Sequence, residues 1–91
     1  MHRILIFGKE NCGKCKATRS KVGFVLDKLG LADRVEVIYY DMDSEEGTAE
    51  GAFRDVFDIP TVILDDGEED IRRWSAAIPD SDELMHALRA L

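Results

Sequence analysis

The feature that most constrains this 91-residue chain is the segment Cys12-Gly13-Lys14-Cys15, which holds its only two cysteines. An unbroken apolar run over residues 4–7 precedes the segment and is typical of a strand covered on both faces. A helical pattern follows it. The positions that fall on one face of this helix are Cys15, Thr18, Val22, Val25, Leu26 and Leu29. Two thiols three residues apart at a strand-to-helix junction predict reversible disulfide chemistry or, failing that, metal binding.

The remaining pattern predicts an α/β domain that spans residues 1–91. Strands are expected over residues 3–7, 35–40, 61–64 and 71–74, with Asp66-Gly67 as the turn of a terminal hairpin. Helices are expected from about residue 13 to Gly30, from a capping box of Asp43 and Glu46 to residues 58–60, and from Asp80 onward. The inward positions predicted for the second helix are Ala49, Ala52, Phe53, Val56 and Phe57, and those for the third are Leu84, Met85, Leu88 and Leu91. The order β-α-β-α-β-β-α implies a four-stranded mixed sheet flanked by three helices.

Charge and composition narrow the class of partner. Hydrophobic residues make up 45% of the chain, and the net charge is −7. Residues 1–30 carry a balance of +5 around the cysteines, whereas residues 31–91 are strongly acidic, which argues against nucleic acid as a partner. Only four strongly apolar residues follow Met1-His2-Arg3, too few for a signal peptide or a membrane span. We therefore expect a cytoplasmic monomer with no membrane partner, in a compartment where CxxC pairs tend to be catalytic or metal-binding.

Taken together, these features resemble the thioredoxin superfamily in its short glutaredoxin-like form, over the whole chain. The matching features are the CxxC between the first strand and first helix, the segment Ile59-Pro60-Thr61 before the third strand, and the element order. The resemblance implies a thioredoxin-like fold and a dithiol-disulfide oxidoreductase without a cofactor. It also implies that Pro60 is cis, that it lies beside the cysteines, and that residues 59–61 bind an extended segment of a disulfide-containing protein substrate.

Several positions depart from the family pattern. Asn11 and Lys14 stand where thioredoxins usually have a tryptophan and a proline, and the strand over residues 4–7 lacks the acid that thioredoxins often bury there. The link over residues 75–79 lacks the Gly-Gly with which glutaredoxins grip glutathione. The missing Gly-Gly favours a reductase of the thioredoxin-reductase type over glutathione as the electron donor.

The two cysteines are expected to have different roles. Cys12 would begin the first helix, where unpaired N–H groups, the helix dipole and the ammonium groups of Lys14 and Lys9 lower the pKa of its thiol. Cys15 would lie one turn further on, on the apolar face. Cys12 would therefore attack the substrate disulfide, and Cys15 would then attack Cys12 and release the reduced substrate.

Two other functions are compatible with the sequence. The thiolates could bind Cu(I), or half of a Zn²⁺ site completed by a second molecule, in a metal carrier. The domain could also bind a partner without turnover. The intact CxxC argues against a purely binding role, and the absence of a nearby histidine argues against a metal site.

Overall fold

The computed structural model describes residues 1–91 as three helices and one four-stranded sheet. The elements are β1 (His2–Gly8), α1 (Gly13–Lys28), β2 (Val35–Asp41), α2 (Glu45–Phe53), β3 (Thr61–Asp65), β4 (Asp70–Trp74) and α3 (Ser81–Arg89). The strand order is β2-β1-β3-β4. β1 pairs with β2 in parallel, whereas β1 with β3 and β3 with β4 are antiparallel. The predicted element order and mixed sheet are therefore confirmed.

β1 lies in the middle of the sheet and is buried from Ile4 to Gly8, as its unbroken apolar sequence predicts. Because successive side chains alternate between faces, the strand contributes to two hydrophobic clusters. On one face, Ile4 and Ile6 pack with buried residues of α1 and α3. On the other face, Leu5 and Phe7 pack with Val56 and Ile63.

α1 has the buried face that its sequence predicts. Cys15, Thr18, Val22, Val25 and Leu26 are buried, and Leu29 is half-buried. The helix ends at Lys28, and Gly30 follows the cap in a left-handed conformation, with φ of 68°. This conformation favours glycine, so the predicted stop signal is confirmed.

The prediction for the second helix was wrong at both ends and on its buried face. α2 begins after Ser44, whose hydroxyl accepts a hydrogen bond of 2.9 Å from the Gly47 N–H, so Asp43 is not the cap. Of the five positions predicted to face inward, only Val56 is buried, and it lies beyond the helix end at Phe53. The four exposed positions are Ala49, Ala52, Phe53 and Phe57.

Two glycines form the buried face of α2 instead. Gly47 and Gly51 are four residues apart and both are buried. A Cβ at residue 47 would overlap the Asp41 carbonyl group, and one at residue 51 would lie 2.7 Å from the Met42 Cε atom. The helix therefore packs backbone-first against the end of β2, an approach that larger residues would prevent.

The C-terminal elements follow the prediction more closely. Asp80 caps α3 by accepting a hydrogen bond from the Glu83 N–H at 3.1 Å. Leu84 and Leu88 are buried, Met85 is half-buried, and Leu91 is exposed beyond the helix end. None of the three helices has the length and apolar character needed to cross a membrane.

Candidate active site

Cys12 and Cys15 form a disulfide at the N-terminus of α1, with their Cα atoms 5.2 Å apart. Cys12 is the N-cap residue with an extended backbone, and Cys15 lies in the first turn of the helix. Cys15 is completely buried, whereas Cys12 is half-exposed. Of the two cysteines, only Cys12 is therefore accessible to another molecule.

The helix N-terminus provides the immediate surroundings of the Cys12 sulfur. The backbone N–H of Cys15 donates a hydrogen bond of 3.1 Å to Cys12 Sγ. The first turn of α1 contains no acidic residue. An N-terminus with free N–H groups and no nearby carboxylate in its first turn favours negative charge, so this position suits a thiolate.

The two lysines predicted to tune Cys12 differ in their contacts. The Lys9 ammonium lies 3.4 Å from the Asp43 carboxylate, in an exposed ion pair. Lys14 is exposed in the first turn of α1, and its carbonyl accepts a hydrogen bond of 2.8 Å from the Thr18 hydroxyl. Lys9 is therefore already paired with a carboxylate, whereas Lys14 takes part in no ion pair.

The segment Ile59-Pro60-Thr61 lies at the same edge of the sheet as the end of β1. Thr61 pairs with Phe7 in the antiparallel ladder between β3 and β1, so Pro60, the residue before Thr61, lies on the Gly8 side of that pair. The Ile59–Pro60 peptide bond is cis. The Pro60 carbonyl accepts a hydrogen bond of 3.1 Å from the Ala77 N–H, which holds the loop in place. The backbone of Ile59, by contrast, forms no backbone hydrogen bond within the chain.

Thr61 stabilises the loop before β3 and is not exposed on its surface. Its side chain is buried, and its hydroxyl donates a hydrogen bond of 2.7 Å to the Asp58 carbonyl. Of the three residues predicted to bind substrate, Ile59 is therefore the one with both a half-exposed side chain and free backbone groups.

Sequence reasoning missed a third side chain at the cysteines. A Cβ built on Gly8 would lie 2.9 Å from both Cβ and Sγ of Cys15 and 3.0 Å from the Tyr39 hydroxyl. The hydroxyl and the buried sulfur therefore converge on the same point. No local sequence signal joins residues 8, 15 and 39.

Burial and charge together set the protonation of Tyr39. Burial raises the pKa of its hydroxyl above the ordinary value, and the carboxylates of Asp41, Glu10 and Asp43 add to this effect. The Arg19 guanidinium lies 4.2 Å from the ring centroid and opposes it. Because the pKa rises overall, Tyr39 is a hydrogen-bond donor at neutral pH.

No group of three or more His, Cys, Asp or Glu side chains in the structure is arranged to hold a metal ion.

Comparison with known proteins identifies the fold. No family model and no curated protein matches the chain. Among solved structures, thioredoxin 1 from the thermophilic eubacterium Thermosipho africanus matches with a TM-score of 0.77 and 24% identity, over 97% of this chain and 91% of the other. Thioredoxin-2 of the malaria parasite matches with a TM-score of 0.82 and 19% identity, over 100% and 84%. Mitochondrial thioredoxin 3 from Saccharomyces cerevisiae matches with a TM-score of 0.77 and 18% identity, over 99% and 78%. This protein has the thioredoxin fold.

The thioredoxin fold brings three separate segments together at one edge of the sheet. Cys15 and Tyr39, from α1 and β2, both approach Gly8 at the end of β1, and the strand register brings Pro60 to the same edge. The resemblance proposed from the CxxC and the Ile-Pro-Thr segment is thereby confirmed at the level of the fold.

Proposed function

We propose that this protein is a dithiol-disulfide oxidoreductase that reduces disulfides in other proteins through Cys12 and Cys15. The observation that carries the proposal is the unequal exposure of two bonded cysteines at a helix N-terminus, one half-exposed and one buried. A structural disulfide across three residues would gain little from chain entropy, so stabilisation does not account for the pair.

In the first step, the Cys12 thiolate attacks one sulfur atom of a substrate disulfide. A bond forms between Cys12 and that sulfur, and the other substrate sulfur leaves with the electron pair and takes up a proton. The Cys15 N–H and the free N–H groups of the helix N-terminus stabilise the thiolate before attack. Lys14 adds a positive charge in the first turn, and Lys9 contributes less because it pairs with Asp43.

In the second step, Cys15 loses its proton and attacks Cys12. The bond between the two cysteines forms, the bond to the substrate breaks, and the substrate leaves with two thiols. The substrate has then gained two electrons and two protons, and the protein carries the disulfide. Burial of Cys15 restricts it to this intramolecular reaction, because a sulfur that outside molecules cannot reach reacts only with its neighbour.

The free backbone groups of Ile59 favour a protein substrate over a small thiol. An extended segment that carries the disulfide can pair with the Ile59 N–H and carbonyl, as a strand pairs with an open sheet edge. Pro60 presents no N–H of its own to compete with such a segment. We propose that the protein acts as a cytoplasmic monomer that a reductase of the thioredoxin-reductase type regenerates.

Coupled oxidation of NADPH tests both the activity and the donor. The reduction of a protein disulfide is followed once with thioredoxin reductase and once with glutathione and its reductase. We expect turnover with the flavoprotein and little with glutathione. Cys12→Ser should abolish turnover, and Cys15→Ser should trap a covalent complex between Cys12 and the substrate.

Ser20→Ala is the matched control, because it removes a hydroxyl from the exposed face of α1 and should leave turnover unchanged. Full activity of the Cys12→Ser protein would exclude the mechanism. Turnover that depends on glutathione alone would retain the redox function and overturn the proposed donor.

A further inference from the structure

We propose that the Tyr39 hydroxyl donates a hydrogen bond to the Cys15 sulfur as that sulfur becomes a thiolate, and so accelerates the second step of the reaction. The inference rests on the proposed function, since it assigns a catalytic residue to that same pair of cysteines.

The geometry at Gly8 carries the inference. The Cys15 sulfur and the Tyr39 hydroxyl lie 2.9 Å and 3.0 Å from the point that a Cβ on Gly8 would occupy. Because glycine has no Cβ, Gly8 places no side-chain atom at that point, which leaves room for the two groups to approach each other. Opening the disulfide releases the Cys15 sulfur from Cys12, so that its side chain is free to turn toward the hydroxyl.

Tyr39 remains protonated in the pH range of the reaction. Burial raises the pKa of its hydroxyl, and the carboxylates of Asp41, Glu10 and Asp43 act in the same direction against Arg19. A protonated phenol can donate to an anionic sulfur but cannot remove its proton. The proton of Cys15 therefore leaves to solvent or to the departing substrate thiolate.

The other buried polar groups are already engaged. The Thr18 hydroxyl donates to the Lys14 carbonyl, and the Thr61 hydroxyl donates to the Asp58 carbonyl. Asp65 is the only buried carboxylate, and it pairs with Arg3 near the opposite end of β1 from Gly8. Tyr39 is thus the polar side chain that lies near the Cys15 sulfur and has no other partner to which it donates.

The step balances without any additional reactant. As the bond between Cys15 and Cys12 forms, the electron pair of the breaking bond leaves with the substrate sulfur, which takes up a proton. Tyr39 keeps its own proton throughout, because it stabilises negative charge on Cys15 before attack. In the reverse direction the same hydrogen bond stabilises Cys15 as the leaving thiolate.

The test follows the two steps separately. The reduced protein is mixed with an excess of an aromatic disulfide that releases a coloured thiolate, once when Cys12 attacks and once when Cys15 attacks. The second release is intramolecular, so its rate does not depend on reagent concentration. For Tyr39→Phe we expect an unchanged first phase and a second phase roughly tenfold slower near pH 7, as for the loss of one hydrogen bond to a charged group. The difference should shrink as the pH rises and Cys15 ionises without assistance.

Tyr40→Phe is the matched control. It removes a hydroxyl from the adjacent residue, which stacks on Phe7 at 5.0 Å on the other face of the sheet. Both phases should match the wild type. An unchanged second phase in Tyr39→Phe, or an equal slowing in the two variants, would overturn the role of Tyr39 while leaving the oxidoreductase intact. A wild-type protein that releases no coloured thiolate would instead overturn the proposed function and this inference with it.

Discussion

Gly8 and Cys15 are in direct contact: a Cβ on the glycine would lie 2.9 Å from both Cβ and Sγ of the cysteine. This separation is shorter than real side chains tolerate, and both residues are buried. The last residue of β1 therefore fixes how closely the first turn of α1 approaches the sheet, and with it the position of the buried sulfur.

Gly8→Ala should displace Cys15 and weaken the fold. The added methyl group meets a buried side chain and the Tyr39 hydroxyl, so we expect the free energy of unfolding to fall by about 1–3 kcal/mol. Urea denaturation of the oxidised protein measures this change. Gly23→Ala is the control, because residue 23 is a helical glycine in open space where alanine should stabilise by up to about 1 kcal/mol. Equal stability of the two variants would contradict the close approach.

The sequence predicts an element well when its buried face carries large side chains. All the α1 positions from Cys15 to Leu26 that were expected to face inward are buried, because apolar groups recur there with the helical period. The buried face of α2 could not be predicted in this way, because its buried positions are Gly47 and Gly51. Glycine has no side chain and therefore does not contribute to a hydropathy pattern. Phe53 was placed on the inward face of the predicted second helix, yet it is 81% exposed.

Some residues of the candidate site could likewise be predicted from the sequence, and others could not. Cys12, Cys15 and Pro60 carry local or family signals that are visible in the sequence. Tyr39 does not, because its relation to Cys15 arises only when β2 pairs with β1 and α1 packs across them. The pairing of Lys9 with Asp43 is likewise a tertiary contact that charge counting along the chain could not reveal.

Alanine substitutions at the two buried glycines of α2 should reduce the stability of the protein by different amounts. Gly47→Ala places a methyl group against the Asp41 backbone, which cannot move without disturbing β2, so we expect a loss of roughly 2–4 kcal/mol in unfolding free energy. Gly51→Ala meets the flexible end of Met42 and should cost about 1 kcal/mol or less. Thermal or urea unfolding of both variants checks the order. A Gly51 variant less stable than the Gly47 variant would contradict the backbone contact.

Asp65 should make the protein less stable in acid. Burial alone would raise the pKa of its carboxyl, but hydrogen bonds from Arg3 at 2.6 and 3.0 Å, another from the Gly67 N–H, and the charge of Arg54 bring it below the ordinary value. Because the folded pKa is depressed, the stabilisation is complete above the unfolded pKa of ~3.9 and is lost as the pH falls through the folded value.

Urea unfolding between about pH 7 and pH 2 measures this loss. We expect Asp65→Asn to be destabilised at neutral pH and to show a shallower decline in acid than the wild type. Asp82→Asn is the control, because this carboxylate is exposed in the first turn of α3. Parallel curves for the wild type and Asp65→Asn would show that this carboxyl does not contribute to the pH dependence.

The reactivity of Cys12 tests the electrostatics on which the first step depends. In the Cys15→Ser protein, which keeps one free thiol, the rate of alkylation by iodoacetamide should rise with pH through an inflection below the ~8.5 of an unperturbed cysteine. Lys14→Gln should move the inflection upward by about a few tenths of a pH unit, as expected for the loss of an exposed charge. Lys9→Gln should move it less, because the Lys9 ammonium already lies 3.4 Å from the Asp43 carboxylate.

An inflection at or above the unperturbed value would mean that the helix N-terminus does not hold Cys12 as a thiolate. A larger shift for Lys9→Gln than for Lys14→Gln would reverse the roles assigned to the two lysines.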